Sequence, residues 1–485
     1  MNFASFEYIG FLVVVWAVYM VLPRRGQNVL LLAASYFFYA AWDWRFLSLI
    51  LFSTVVDFVI GRALSRSDAA RTRKFALSIS LIANLGLLGF FKYYGFFVDS
   101  AVELLGSIGV AAHRPTLQVL LPVGISFYTF QTLSYTIDVY RRKIPTCKSL
   151  IDFALFVAFF PQLVAGPIER ASHLLPLIQS ERSVTRPEFN RGLFLILLGL
   201  VKKLAIADGL AGSVDAVYST TSDVSGLDVM LATYAFAFQI LCDFSAYTDI
   251  ARGTSKLFGI DLMLNFDAPY LANNPSEFWR RWHISLSTWL RDYLYIPLGG
   301  NRKGPVRTYV NLMLTMVLGG LWHGAAWNFV LWGFYQGSLL CTFRLFDNEN
   351  RHKPPAPSPY ARSAGFRAAG ARLALRLVTA FLFFQLVCYG WLLFRAESLA
   401  DVVRLSGELA TPSGWAALSF PRPPLATLLG LLLFLPWESM TFMTGKATFY
   451  QRWHPFARGV LVATLLILLA MGVNNDASTF IYFQF

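Results

Sequence analysis

His323 is the residue whose surroundings best suit proton transfer. It lies in Leu-Gly-Gly-Leu-Trp-His-Gly-Ala, residues 318–325, between two apolar runs. Histidine has the one side chain whose unperturbed pKa lies near neutral pH, and the glycines allow a backbone or a ligand to approach closely. These residues alone leave two interpretations open, a catalytic histidine and an interior histidine held by hydrogen bonds. The neighbouring candidates are Trp322, Trp327 and Asn328.

His283 is the other one of the six histidines that stands in an aromatic, glycine-bearing context. Residues 278–295 alternate tryptophan, tyrosine and arginine with apolar residues, which predicts a helix that lies in the membrane interface with aromatic anchors. The basic, glycine-rich loop 299–305 that follows is suited to hold a phosphate, but a cytoplasmic loop has the same composition. Further candidate site residues of this helix are Arg281, Ser285 and Asp292.

Two other segments place polar or helix-breaking residues within apolar runs. In residues 122–138, Tyr128 and Gln131 could line a polar path, or could hold helices together by hydrogen bonds. Residues 160–170 contain two prolines and a glycine, which predict a broken or ended helix. That break could form a cavity wall or an interfacial turn.

Residues 242–249 bring two aspartates and a tyrosine into an apolar context. A spacing of four puts the first aspartate and the tyrosine on one face of a helix. A role in a site and pairing with the basic residues that follow are both open. The candidates are Asp243, Tyr247 and Asp249, and the basic residues are Arg252 and Lys256.

The elements that must position these residues are membrane helices. Of 485 residues, 56% are apolar and 14% are charged, whereas a soluble domain carries roughly 25% charged residues. The apolar stretches predict an all-α polytopic membrane protein with about eleven transmembrane helices, some of the shorter stretches being re-entrant. The net charge of +13 indicates basic cytoplasmic loops rather than a nucleic-acid partner.

The chain is predicted to form a single integral membrane domain over residues 1–485, in which 344–376 is a polar, cytoplasmic linker. The first apolar run precedes Arg24 and Arg25 and is predicted to be an uncleaved span, which puts the N-terminus outside. Other basic clusters that mark the cytoplasmic side lie at 62–74, 141–143 and 302–303.

Several classes of site lack their signatures in this sequence. The four cysteines lie far apart without a C-x-x-C pair, so neither a disulfide framework nor a metal site is expected. A G-x-S-x-G elbow, a Walker loop, an H-E-x-x-H motif and a G-x-G-x-x-G motif are absent. Serine hydrolase, ATPase, zinc protease and dinucleotide-binding functions lose support accordingly.

The segments around the two histidines resemble the membrane-bound O-acyltransferase family, and most closely its bacterial branch that O-acetylates alginate and related polysaccharides. The resemblance rests on Trp-Arg-Arg-Trp-His-Ile-Ser-Leu-Ser-Thr-Trp-Leu-Arg-Asp-Tyr (279–293) and on Leu-Gly-Gly-Leu-Trp-His-Gly-Ala (318–325). Weaker agreement elsewhere extends it over nearly the whole chain, at residues 122–128, 164–167, 202–208, 243–249 and 480–485.

This resemblance implies helices around a central tunnel and transfer of an acyl group from a cytoplasmic thioester, acetyl-CoA, toward an acceptor outside. His323 matches the family's catalytic histidine, and His283 matches the second essential one. The resemblance also implies a periplasmic partner, often of the SGNH hydrolase type, that delivers the group to the glycan, and it places the chain in the bacterial inner membrane. No bound cofactor is expected.

The chemistry agrees with these residues, because acyl transfer needs a base and a site that excludes water. Several questions stay open at this stage: the acceptor, the acyl length, the division of roles between the histidines, whether transfer is direct or through a partner protein, the side of the C-terminus and the oligomeric state. Peptidoglycan and teichoic-acid-type acyl transfer are alternatives within the enzyme class. A glycan or lipid transporter is the alternative from another class.

Overall fold

The computed structural model describes residues 3–111, 120–164, 166–219, 224–346, 366–411 and 418–473, without the side chains of 366–374. The chain divides into two compact units, unit 1 (Met1–Ile196 and Tyr247–Met263) and unit 2 (Leu197–Ala246 and Leu264–Phe485). The single domain over 1–485 stays a prediction. Most of the predicted linker 344–376 and all of the ending 480–485 lie outside the described residues.

Unit 1 consists of helices and the segments that connect them in its described part, and several of its helices end next to proline or glycine. The broken helix predicted for residues 160–170 is observed, since the chain leaves helical geometry at Phe159 and the helix that follows, Phe160–Leu163, is a single turn. The helices are α1 (Phe6–Met20), α2 (Arg24–Asp43), α3 (Leu47–Arg66), α4 (Ala70–Leu88), α5 (Tyr94–Ser107), α6 (Ile125–Tyr140), α7 (Leu150–Ala158), α8 (Phe160–Leu163), α9 (Ala171–Gln179) and most of α10 (Arg186–Val201).

A buried aspartate joins three helices in the core of unit 1. The carboxylate of Asp57 in α3 accepts hydrogen bonds from Asn84 Nδ2 in α4 at 2.9 Å and from Thr136 Oγ1 in α6 at 3.0 Å. Ser80 Oγ in α4 donates to the same carboxylate. Each polar atom taken out of water here has a hydrogen-bond partner, which is what makes such a group tolerable among apolar helices.

Three of the basic clusters lie at one end of unit 1. Arg142 Nη2 donates to Asp68 Oδ1 at 2.5 Å, which joins the end of α6 to the end of α3. Arg62 Nη1 donates to the Lys148 carbonyl at 3.5 Å, just before α7 begins. The start of α2 reaches the same end, because Asn28 Nδ2 donates to Asp152 Oδ1 at 2.8 Å.

Unit 2 contains the two histidine segments and is also helical throughout its described part. A buried ion group lies at its start, where Lys203 Nζ is 2.7 Å from Asp208 Oδ1 and 2.9 Å from Asp243 Oδ1. Its helices are α11 (Asp208–Tyr218), part of α12 (Gly226–Leu257), α13 (Pro275–Arg281), α14 (Ile284–Leu290), α15 (Pro305–His323), α16 (Trp327–Phe346), α17 (Phe366–Arg395), α18 (Leu399–Ala410), α19 (Leu425–Thr444) and α20 (Pro455–Gly472).

Six helical stretches of the described chain are long and apolar enough to cross a membrane. The first of them contains α2, a break at Asp43, where φ is −157°, and α3. Both the total of eleven spans and the central tunnel stay predictions. The six stretches are Arg24–Arg66, Ala70–Ser107, Gly226–Leu257, Leu375–Arg395, Leu425–Thr444 and Pro455–Gly472.

Candidate active site

His323 is the last residue of α15 and is 5% exposed. The glycines around it permit close packing, as the sequence predicts. A Cβ at Gly320 would overlap the carbonyl oxygen of Phe329 in α16, and a Cβ at Gly324 would overlap the Phe329 ring. The imidazole is therefore held where α15 ends against the start of α16.

Aromatic rings enclose His323 on several sides. The ring centroids of Trp322 and Trp332 each lie 5.1 Å from that of His323, and the Trp332 ring is nearly perpendicular to the imidazole. Phe394, at the end of α17, lies 5.5 Å away with a similar edge-to-face geometry. Such packing fixes the orientation of the imidazole and keeps bulk water from most of its surface.

A cavity of about 310 Å³ opens onto His323 between α13, α14, α15 and α16. Its wall is mostly apolar and includes Met316 and Trp332, while the exposed arginines Arg280 and Arg291 belong to its rim. A mostly apolar cavity with a few polar groups is the usual form of a small-molecule site. His323 thus has both a fixed position and a space in which a reactant can meet it.

His283 lies outside the lining of this cavity and is completely buried. It stands between α13 and α14 with φ at +42°, in the left-handed region that a non-glycine residue adopts at a cost of about 1–3 kcal/mol. The single helix predicted over residues 278–295 is therefore wrong. The chain turns at His283, because Ile284 N donates to the Asn265 carbonyl at 2.9 Å rather than continuing α13.

The imidazole of His283 is surrounded by aromatic rings and one amide. Phe244 packs edge to face at 4.7 Å between centroids, and Trp322 lies at 5.9 Å. His283 Nδ1 is 3.2 Å from Asn265 Oδ1. Burial holds the pKa of this imidazole well below its usual range, an effect that its own carbonyl offsets in part, so His283 is neutral at physiological pH.

The two imidazoles face one region without touching. Their centroids are 6.5 Å apart and their planes are inclined by 64°, which is too distant for a direct hydrogen bond. Trp322 packs against both rings, at 5.9 Å from His283 and 5.1 Å from His323. The structure brings the predicted pair close together, with His323 in the cavity wall and His283 outside that lining.

Other predicted site residues of unit 2 lie outside the lining of this cavity. Arg281 pairs with Asp267 at 2.8 Å, and Asp292 pairs with Arg291 at 2.8 Å. Asn328 Nδ2 donates to the Ala396 carbonyl at 2.8 Å, while Trp327 is 51% exposed at the start of α16.

Two predicted residues of unit 2 are buried beside charged or polar partners. Asp243 lies 2.9 Å from Lys203. Ser285 Oγ donates to Asn265 Oδ1 at 3.0 Å and is therefore part of the surroundings of His283. The functional assignment of each stays a prediction.

The remaining four candidates belong to unit 1. Tyr128 and Gln131 are buried in α6, and the Gln131 amide donates to the Phe156 carbonyl. Tyr247 packs on the Phe3 ring at 5.8 Å between centroids. The pairing anticipated for Asp249 is present, since Arg252 Nη1 lies 3.6 Å from its carboxylate.

Asn265 is the residue that sequence reasoning missed. It is completely buried in the segment between α12 and α13 and touches both His283 and Ser285 through one oxygen. A single asparagine beside Phe266 carries no periodicity or motif of its own, and 18 residues separate it from His283. Its contact with the histidine arises only when the chain turns back at His283.

Comparisons with known proteins identify a family and several relatives of this chain. Residues 138–369, which include both histidines, match the model of the membrane-bound O-acyltransferase family. The chain is 40% identical to the probable alginate O-acetylase AlgI of Azotobacter vinelandii, over 86% of this chain and 79% of that protein. It is 37% identical to the probable alginate O-acetylase AlgI of Pseudomonas putida over 98% of both, and 34% identical to the peptidoglycan O-acetyltransferase of Helicobacter pylori over 82% and 77%.

Proposed function

Because the chain belongs to the membrane-bound O-acyltransferase family, we propose that it transfers an acetyl group from acetyl-CoA in the cytoplasm toward a secreted polysaccharide such as alginate. The protein is an O-acyltransferase with several membrane-crossing helices. Similarity to alginate O-acetylases over most of the chain supports a polysaccharide acceptor. The expected location is the bacterial inner membrane.

The observation that carries the proposal is the position of His323 on a mostly apolar cavity. A thioester reacts with water as well as with a hydroxyl, so an apolar wall protects the donor while the acceptor enters. Met316 and Trp332 supply that wall beside the imidazole. A base at the wall of a dry cavity is the arrangement that direct acyl transfer requires.

His323 acts as the base in the proposed reaction. It takes the proton from an acceptor hydroxyl as the oxygen attacks the thioester carbonyl, and the tetrahedral intermediate then collapses with cleavage of the C–S bond. The departing CoA thiolate receives that proton from the imidazolium, which regenerates neutral His323. The products are an O-acetyl ester and free CoA. His283 does not line the cavity, so its contribution to this step is indirect.

The donor enters from the cytoplasmic side in this proposal. Arg280 and Arg291 are exposed at the cavity rim and can attract the phosphates of CoA, and the basic loop at Arg302 and Lys303 follows α14 along the chain. On the periplasmic side, a partner of the SGNH hydrolase type delivers the acetyl group to the glycan. The N-terminus lies outside, as the positions of the basic clusters favour.

The proposal is tested with His323→Ala in cells that make the polysaccharide. We expect glycan acetylation to disappear while the protein remains in the membrane at normal abundance, because the cavity loses its base. His454→Ala is the matched control, since His454 is exposed at the start of α20 and is expected to leave acetylation unchanged. Normal acetylation in the His323 variant would overturn the proposal.

The purified protein separates the enzyme from a transporter. With acetyl-CoA and an acceptor, the enzyme releases free CoA in step with acetylated product, whereas a glycan transporter moves its substrate without consuming the thioester. A second acceptor class deserves the same assay, because the peptidoglycan O-acetyltransferase of Helicobacter pylori is 34% identical to this chain. With the periplasmic partner added to the assay, preference for alginate oligosaccharides over peptidoglycan or teichoic-acid fragments is the expected outcome.

A further inference from the structure

Asn265 presents its side-chain oxygen to three groups at once. Oδ1 lies 3.1 Å from the backbone nitrogen of Ser285, 3.0 Å from Ser285 Oγ and 3.2 Å from His283 Nδ1. All three residues are completely buried. The hydrogen-bond directions in this cluster are therefore fixed by the protein alone.

The backbone of Ser285 determines which way the Asn265 amide points. A backbone N–H can only donate, so the atom that faces it must be the amide oxygen and not the NH₂ group. The Nδ2 atom has no hydrogen-bond partner among the described residues. An unsatisfied buried donor is costly, so the contacts of the amide oxygen must hold the amide in this orientation.

The proton on Ser285 is assigned by the same reasoning. The contact between Ser285 Oγ and Asn265 Oδ1 joins two oxygens, and the amide oxygen has no proton to give, so the hydroxyl donates to it. Ser285 Oγ then turns a lone pair toward His283 Nδ1, 3.4 Å away. Nδ1 thus meets two acceptors and no donor within this cluster.

We propose that Asn265 is a positioning residue that holds neutral His283 as its Nδ1–H tautomer, so that Nε2 is the nitrogen that accepts a proton or a hydrogen bond. This inference deepens the proposed function and rests on it. In the other tautomer a bare Nδ1 would face the lone pairs of both Asn265 and Ser285 in a buried site. A partner that fixes the tautomer of a working histidine in this way is a recurrent device in proteins.

Of the two side-chain oxygens near His283 Nδ1, that of Asn265 is the closer, at 3.2 Å against 3.4 Å for Ser285. Rings packed on the imidazole include those of Phe244, Phe266 and Trp322, and His323 is a titratable group beside it. None of the aromatic rings carries a charge that could assign the proton. The left-handed backbone at His283 brings Nδ1 to the amide oxygen.

Two variants at Asn265 separate the tautomer from the shape of the site. Asn265→Leu removes the acceptor, and we expect kcat to fall about 10- to 100-fold with little change in KM for acetyl-CoA. Asn265→Asp keeps an acceptor but adds a charge that favours the imidazolium. At high pH the activity of this variant should therefore approach the native value. As the pH is lowered, the variant should lose activity at a higher pH than the native protein does.

A structural control is Asn84→Leu, which removes another completely buried asparagine, in α4 of unit 1. It should lower the unfolding temperature and leave the pH profile of the remaining activity as in the native protein. If the Asn265→Asp profile also keeps its native position, Asn265 serves only packing and the inference fails. His323→Ala tests the proposed function itself. If that variant is inactive while the Asn265 variants behave like the native protein, this inference fails and the proposed function stands.

A second measurement does not depend on activity. Ring ¹⁵N resonances of ¹⁵N-histidine-labelled protein in lipid nanodiscs distinguish protonated from unprotonated nitrogens, and a His283→Gln spectrum identifies the resonances of this residue. In the native protein we expect a proton on Nδ1 and none on Nε2. In Asn265→Leu we expect this tautomer to be lost or mixed with the other one. A proton on Nε2 in the native protein would overturn the inference.

Discussion

Asp243 illustrates how a single buried residue can be read in two ways. Its position in an apolar helix makes it a candidate for a site, yet its carboxylate lies 2.9 Å from Lys203, whose side chain is 1% exposed. Asp208 lies 2.7 Å from the same ammonium. Lys203 thus offsets the charge of the buried Asp243 carboxylate and of the partly buried Asp208 carboxylate, which is a structural role irrespective of any catalytic one.

Lys203→Met should therefore destabilise the protein strongly. Leaving the buried Asp243 carboxylate and the partly buried Asp208 carboxylate without this cation is expected to cost about 3–5 kcal/mol, seen as a lower unfolding temperature by tryptophan fluorescence in detergent. Arg45→Met is the control, because Arg45 and Asp43 form an exposed pair of little energetic value. Equal effects of the two substitutions would show that the Lys203 group is not a stabilising one.

At the scale of elements, the pair α15 and α16 sets the geometry around His323. Gly333 in α16 lies so close to α15 that a Cβ there would come within 2.5 Å of the Met316 carbonyl oxygen. Gly320 makes the matching approach from α15. Since Met316 also lines the cavity, the spacing of these two helices contributes to its width.

Gly333→Ala should push α15 and α16 apart and lower both stability and activity. Overpacking of this kind costs about 1–3 kcal/mol, and displacement of His323 should reduce kcat in the CoA-release assay. Gly459→Ala in α20 is the matched control, because a Cβ there meets nothing within 4 Å. Native unfolding temperature and native kcat in Gly333→Ala would contradict this account of the helix pair.

Breaks between helices were predictable only where the sequence contains breaking residues. Pro161 and Gly166 predict the break after α7, and this break is observed. The break at His283 was missed, because neither proline nor glycine occurs between Trp279 and Trp289. There the left-handed turn is stabilised by hydrogen bonds to Asn265, a tertiary contact without a local signal.

At the scale of the whole molecule, charge distribution along the chain predicts how the protein sits in the membrane. The clusters at residues 24–25, 62–74 and 141–143 are far apart in sequence, yet contacts of unit 1 bring them to one end. Basic residues prefer the cytoplasmic side. This preference requires the basic clusters of unit 1 to lie at one end, which is then the cytoplasmic end.

Cysteine labelling tests this orientation directly. In a background with the four native cysteines replaced, Arg45→Cys should react with a membrane-impermeant maleimide on intact spheroplasts, because the turn between α2 and α3 lies away from the basic end. Asp68→Cys, whose native side chain is 93% exposed, should react only after the membrane is opened. The reverse pattern would place the N-terminus in the cytoplasm.

The sequence by itself determined the helical, membrane-crossing character of the protein and its family, and it singled out the two histidines as candidates. These follow from one-dimensional properties, namely the length of apolar runs, the isolation of polar residues within them and short motifs. Tertiary structure alone decided that His323 lines the cavity and His283 lies behind it, and that Lys203 is the partner of Asp243. It also decided that Asn265 meets His283, because that contact depends on a backbone turn which the packing of the surrounding chain stabilises.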